Sequence, residues 1–130
     1  MKIVNNLLLL ILVALGYSCS PKLSQSSAEV NYFSSVDGTV TLRVIGEGSN
    51  QKALESAEIK VFNVLFFRGV PESAEKLAMV GTNEKEEREK NGVYFEHMYN
   101  DKRYKTFIMS ATPTSGAYKE SGAKKLAFDI

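Results

Sequence analysis

The 130 residues contain no tryptophan, one cysteine and one histidine, and each scarcity narrows the chemistry open to the chain. A single cysteine, Cys19, forms no intrachain disulfide, so the fold must hold without one. The only histidine, His97, lacks the nucleophile and orienting acid that a general base requires, and no local pattern supplies them. Without tryptophan, an aromatic platform for glycan is weakened. Charge of one sign is also missing. The chain carries 16 basic and 15 acidic side chains, and removing residues 1–18 takes Lys2 alone, leaving fifteen of each. A neutral domain has no electrostatic footprint for nucleic acid. The apolar run at residues 7–15, LLLLILVAL, is too short to span a bilayer.

Residues 39–69 are the organising unit of the chain. Val40, Leu42 and Val44 alternate with Thr39, Thr41, Arg43 and Ile45, the period-two pattern of a strand with one buried face. Gly46 and Gly48 stop the strand. Asn50 is placed to cap a helix, with Glu55 near its positive end. Leu54, Ala57, Val61, Val64 and Leu65 then share one helical face, and Gly69 with Pro71 beyond it closes the helix. The segment 61–67, VFNVLFF, is apolar nearly all round; continuity from Leu54 makes it helical, with its back face covered by something else. The glycines of Gly46-Glu47-Gly48 read as a turn, because Gln51 breaks the dinucleotide pattern and no Gly-Lys-Ser/Thr occurs.

Further along, residues 71–80 suggest a short helical turn starting at Pro71. Asn83 caps a second long helix whose first half carries the i,i+4 pairs Glu84–Arg88 and Glu86–Lys90, and Gly92 marks a break within it. Glu84, Glu86, Glu87 and Glu89 have neither the spacing of a calcium loop nor a face free of basic residues, so they read as a solvated helix surface. The aromatics Tyr94, Phe95, Tyr99, Tyr104 and Phe107 read as packing groups with their hydroxyls near water. Residues 106–111 and 124–130 alternate as two strands joined by a polar loop, with Phe107 and Met109 on one side of the first and Leu126, Phe128 and Ile130 on one side of the second. The expected fold is α+β: a small two-layer domain in the order β-α-(α)-α-β-β, its helices on one face of a mainly antiparallel sheet of at least three strands. No cofactor or metal is expected.

The N-terminus reads as a targeting signal, with Lys2 as its positive start, residues 7–15 as its apolar region, and Gly16-Tyr17-Ser18 before Cys19. This resembles the signal of bacterial lipoproteins, whose lipobox sets small residues before an acylated cysteine. The usual leucine three positions before the cysteine is replaced by Gly16, with Leu15 one further back and Tyr17 between. The resemblance implies a signal peptide at 1–18, acyl chains on Cys19, a tether at 19–36 and one α+β domain at 37–130. As a flexible coil, residues 20–36 span about 20 Å.

The strand, Gly-x-Gly and helix with small residues at Ala53 and Ala57 is also similar to the small α+β domain of some flagellum-associated and outer-membrane-associated lipoproteins, which implies envelope assembly or scaffolding. The expected function is therefore a non-catalytic, membrane-anchored periplasmic lipoprotein of the outer membrane that binds an envelope protein. The alternatives are a small peptide- or glycan-binding module, or a hydrolase. The expected partner surface is whatever the second helix leaves uncovered of Phe62, Phe66 and Phe67, or an open sheet edge. If Cys19 carries the anchor, Cys19→Ala expressed in a bacterium with the lipoprotein pathway leaves the membrane fraction. A variant that stays with membranes through detergent-free washing places the anchor elsewhere.

Overall fold

The structure, a computed structural model, describes residues 29–114, 118–120 and 122–130; Cys19 and the expected signal lie outside them. Strands β1 (Val30–Val36) and β2 (Thr39–Glu47) make a hairpin. Helices α1 (Asn50–Phe67), α2 (Glu84–Lys90) and α3 (Gly92–Tyr99) come next, then a 3-10 turn at Arg103–Phe107. The short strands β3 (Thr112–Pro113) and β4 (Tyr118–Glu120) precede β5 (Ala123–Asp129). All pairings are antiparallel, in the order β1-β2-β5-β3, with β4 on the same outer side of β5 as β3. The protein is an α+β domain with its helices on one face of the sheet. Leu42, Val44, Leu126 and Phe128 point into that face and are buried.

Helix α1 lies directly on β2. Gly46 sits beneath Ala53, and a Cβ built on it would stand 1.8 Å from the Ala53 carbonyl oxygen and 3.1 Å from the Ala57 Cβ. Only glycine allows so close an approach. Ala53 and Ala57 are themselves fully buried. At its other end α1 stops at Gly69, whose φ of +74° continues no helix. The last helical carbonyls are taken up by the returning chain, with amides of Met79 and Val80 donating to Leu65 O and Phe66 O at 3.0 Å each.

Several local expectations are corrected. The tether does not extend to residue 36, because residues 30–36 form β1. Val30 and Tyr32 turn inward against the core, and the hairpin closes through Asp37-Gly38 with φ of 48° and 79°. Two positive φ values in a two-residue loop give the turn whose twist matches that of paired strands. The N-cap of α1 is Ser49, not Asn50, whose Oδ1 instead accepts from Lys124 Nζ at 3.0 Å. Residues 71–80 form turns, not a helical turn: Val70 is buried, and Ser73 Oγ donates to Val70 O at 2.9 Å and accepts from the Glu75 amide at 3.0 Å. The second long helix divides at Asn91 into α2 and α3, and Asn83 caps it as expected by accepting from the Glu86 amide at 3.3 Å.

The expected strand at 106–111 is the largest departure. Tyr104 is fully buried beside Phe62 and Tyr99, which winds residues 103–107 into the 3-10 turn. Thr106 Oγ1 donates back to Arg103 O at 2.8 Å, a local bond that competes with strand pairing. Phe107 and Met109 are left 68% and 84% exposed, and only Ile108 packs on the core. The strand expected at 124–130 is present as β5, and it is interior, flanked by β2 on one side and by β3 and β4 on the other.

Since a methyl group at position 46 overlaps the α1 backbone, Gly46→Ala is expected to cost at least about 2 kcal/mol. Denaturant unfolding measures it, and a loss under about 0.5 kcal/mol would mean that α1 sits higher on β2.

Candidate functional site

The feature that stands out is an apolar groove of ≈ 690 Å³ between the first half of β2 and the later turns of α1. Its floor is Val40, Leu42 and Ile130, and one wall is Val61, Phe62, Leu65 and Phe66. The rim is Met79, Tyr94, Phe107 and Met109, all more than half exposed, with Met98 deeper between them. The groove follows from the side chains along α1. Where Ala53 and Ala57 face the sheet, helix and strand touch; where Val61 and Leu65 take their places, the layers stand apart. The gap opens toward the β1–β2 turn. No strand fills it, because the chain crosses there as residues 107–110 before β3 begins.

Leu65, expected on the sheet-facing stripe, is therefore only half-buried, and so is Leu54. Of the expected partner residues, Phe62 and Phe66 form part of the groove wall but are each only 7% exposed. Phe67 is no partner surface. It packs on Phe95 with ring centroids 5.5 Å apart, and the Arg88 guanidinium lies 5.4 Å from its centre.

The ion-paired groups of the described residues gather away from the groove. Arg88 lies over Phe67, Phe95 and Tyr99, donates to Glu84 Oε1 at 2.9 Å and to Asn63 Oδ1 at 3.0 Å, and so fastens α2 and α3 to the back of α1. The Tyr99 hydroxyl donates to the same Asn63 oxygen. Such ring–cation contacts contribute on the order of 0.5–2 kcal/mol. Buried Glu58 meets Lys105 Nζ at 3.0 Å, and Glu55 meets Lys102 at 2.6 Å, which staples the 3-10 turn to α1. At the far end of β2, Lys60 and Lys125 both reach Glu29, and Glu47 lies 3.8 Å and 3.6 Å from them. Burial alone would raise the Glu29 carboxyl, but hydrogen bonds from Lys60 and Lys125 and their charges outweigh it and bring it below its ordinary 4.5. Lys60 also donates to Ile45 O at 2.9 Å, one residue beyond the last β1–β2 pair.

The remaining sequence candidates fall into place as structure. His97 is exposed, with Nδ1 2.5 Å from Asp101 on the same helical side and away from the groove lining. Glu84 and Glu86 pair with Arg88 and Lys90 at 2.9 and 2.6 Å, as expected. Among the described residues no three His, Cys, Asp or Glu side chains assemble a metal site. The aromatics form one connected set, in which Phe95 stacks on Tyr99 at 6.3 Å and Tyr99 meets Tyr104 at 6.4 Å. Tyr94 and Phe107 extend it to the groove. Met79, Met98 and Met109 were missed as site residues, and no local signal marks them, since they converge only in three dimensions.

The groove can exclude water from an apolar occupant, with Thr39, Thr41, Ser110 and Glu75 as the polar residues of its lining. No protein-family model matches the chain, and no curated protein or solved structure matches it either.

The aromatic set yields a pH signature. Burial, then the charges of Glu58 and Glu55, push the Tyr104 hydroxyl up to about 12. Burial likewise raises Tyr99 to about 12 against the opposing charge of Arg88. In the unfolded chain both ionise near 10, so the folded state keeps protons that the unfolded state loses, and stability falls as pH rises from 10 to 12. Ultraviolet titration should show Tyr99 and Tyr104 ionising late, together with unfolding. Ionisation of both near 10 in a still-folded protein would contradict this packing.

Proposed function

We propose that the chain is a non-catalytic, membrane-anchored lipoprotein of the bacterial cell envelope, held by acyl chains on Cys19 and facing the periplasm from the outer membrane. In this reading it serves as an assembly or scaffold component whose groove receives an apolar segment of another envelope protein. The observation that carries it is the groove itself, rimmed by four apolar side chains more than half exposed. Exposed apolar surface gathered around a concavity is what a protein-recognition site presents before its partner arrives. Methionine on the rim adapts its shape to what it meets. Among the described residues no helix is long and apolar enough to cross a membrane, so in this reading attachment rests on the acyl chains.

One observation favours a second reading. The groove is concave, and its volume lies within the range of small-ligand sites, about 300–1,000 Å³. That suits a peptide-binding module. A glycan suits it less, because few polar groups converge there.

The test replaces rim residues that stand mostly in water. Phe107→Glu and Met109→Glu should abolish recovery of a specific envelope partner from membranes while shifting unfolding by no more than about 0.5 kcal/mol. His97→Ala should leave recovery intact. Turnover of a peptide, ester or glycan that His97→Ala removes, with no partner recovered, would replace this reading with a hydrolase.

A further inference from the structure

Among the described residues Glu75 is the one charged residue lining the groove, and none of them that lines it is lysine, arginine or histidine. Its backbone is fixed in the turn after α1, with its amide held by Ser73 Oγ at 3.0 Å and its carbonyl accepting from the Val70 amide at 2.7 Å. The residue is half-buried. Its carboxylate has no ion-pair partner among the described residues. Seven other glutamates, including the buried Glu58 and the largely buried Glu29, each have a basic partner. A glutamate whose backbone is held in the lining of an apolar groove and whose carboxylate is left without a cation is an electrostatic half-site, since covering that carboxylate with an apolar group alone would strip its water without compensation.

From this charge pattern, and resting on the reading of the groove as a protein-binding site, we infer that its occupant is an apolar peptide segment of another protein bearing one lysine or arginine that pairs with Glu75. The apolar side chains of the segment fill the space over Val40, Leu42 and Phe66, and the methionines adjust to them. The basic group meets Glu75 at the rim, where pairing selects the partner more than it adds affinity. A fatty acid or anionic phospholipid fits the apolar walls but brings its own negative charge beside Glu75, with no cation in the lining to offset it. The lone acid therefore discriminates against lipid.

The experiment places the photo-cross-linking amino acid benzoylphenylalanine at position 109 of the full chain, in the cells that make it, and maps the cross-linked peptide by mass spectrometry. The expected product is one apolar segment of another protein with a lysine or arginine within about one helical turn of the cross-link. Glu75→Lys should lower its yield at least tenfold, and exchanging the partner's basic residue for glutamate should restore it. Glu75→Gln, which keeps shape and removes charge, should give an intermediate yield, and circular dichroism confirms that both variants fold. A cross-linked segment lacking a basic residue, or a yield unmoved by Glu75→Lys, overturns the inference and leaves the groove's role as a protein site standing. Cross-links to lipid acyl chains, to a second copy of this chain, or to nothing overturn both.

Discussion

The architecture depends on the contact between Gly46 and the backbone of Ala53. Because strand and helix touch there without side chains between them, α1 is fixed at its first turns. Every later residue of the helix then has a determined height above the sheet. The stripe that faces the sheet grows in size from alanine to valine and leucine, so the two layers form a wedge. The core fills its narrow end, and its wide end is the groove. A larger residue at position 46 would lift the whole helix and change the volume of a cavity that begins about two turns further along it.

The back of α1 imposes a second constraint. Phe62, Phe66 and Phe67 are too large and apolar to face water, and burying each contributes on the order of 1.5–3 kcal/mol. Their cover is α3 and the 3-10 turn, two short pieces with little intrinsic stability as isolated helices. What holds them is lateral: Arg88 over three rings, Tyr99 on Asn63, and Lys102 and Lys105 on the acids of α1. The charged residues that leave the groove apolar are the same ones that secure its far wall.

Much of this arrangement was legible in the chain. The alternation of β2, the long helix ending at Gly69, the Asn83 cap with its two ion pairs, and the strand at 124–130 all appear as their local patterns require. Strand β1 was hidden by its serines, although Asp37-Gly38 is a hairpin signal that would have marked it. Residues 106–111 misled because alternation does not say what lies on either side. Tyr104, two positions earlier, was the residue with a place in the core, and its burial set the local backbone. The groove could not be read at all, for it is assembled from β2, α1, the turn after it, α3, the crossing at 107–110 and Ile130, which meet only after folding.

Strand β5 lies between β2 and the outer strands, although every other described element precedes it in the chain. Asp129 pairs bidentately with Arg43, 86 positions earlier, and Ile130 exchanges backbone hydrogen bonds with Leu42. The inner edge of β2 thus stays open until β5 arrives, and the entropy of closing so long a loop must be met before the pairing can form. In the proposed exported form, a chain threaded through a membrane pore from its N-terminus would hold the β1–β2 hairpin and α1 on the far side while their sheet was still incomplete. In that form the topology would delay commitment to the native state until residues 123–130 had crossed as well, because only they complete the sheet beside β2.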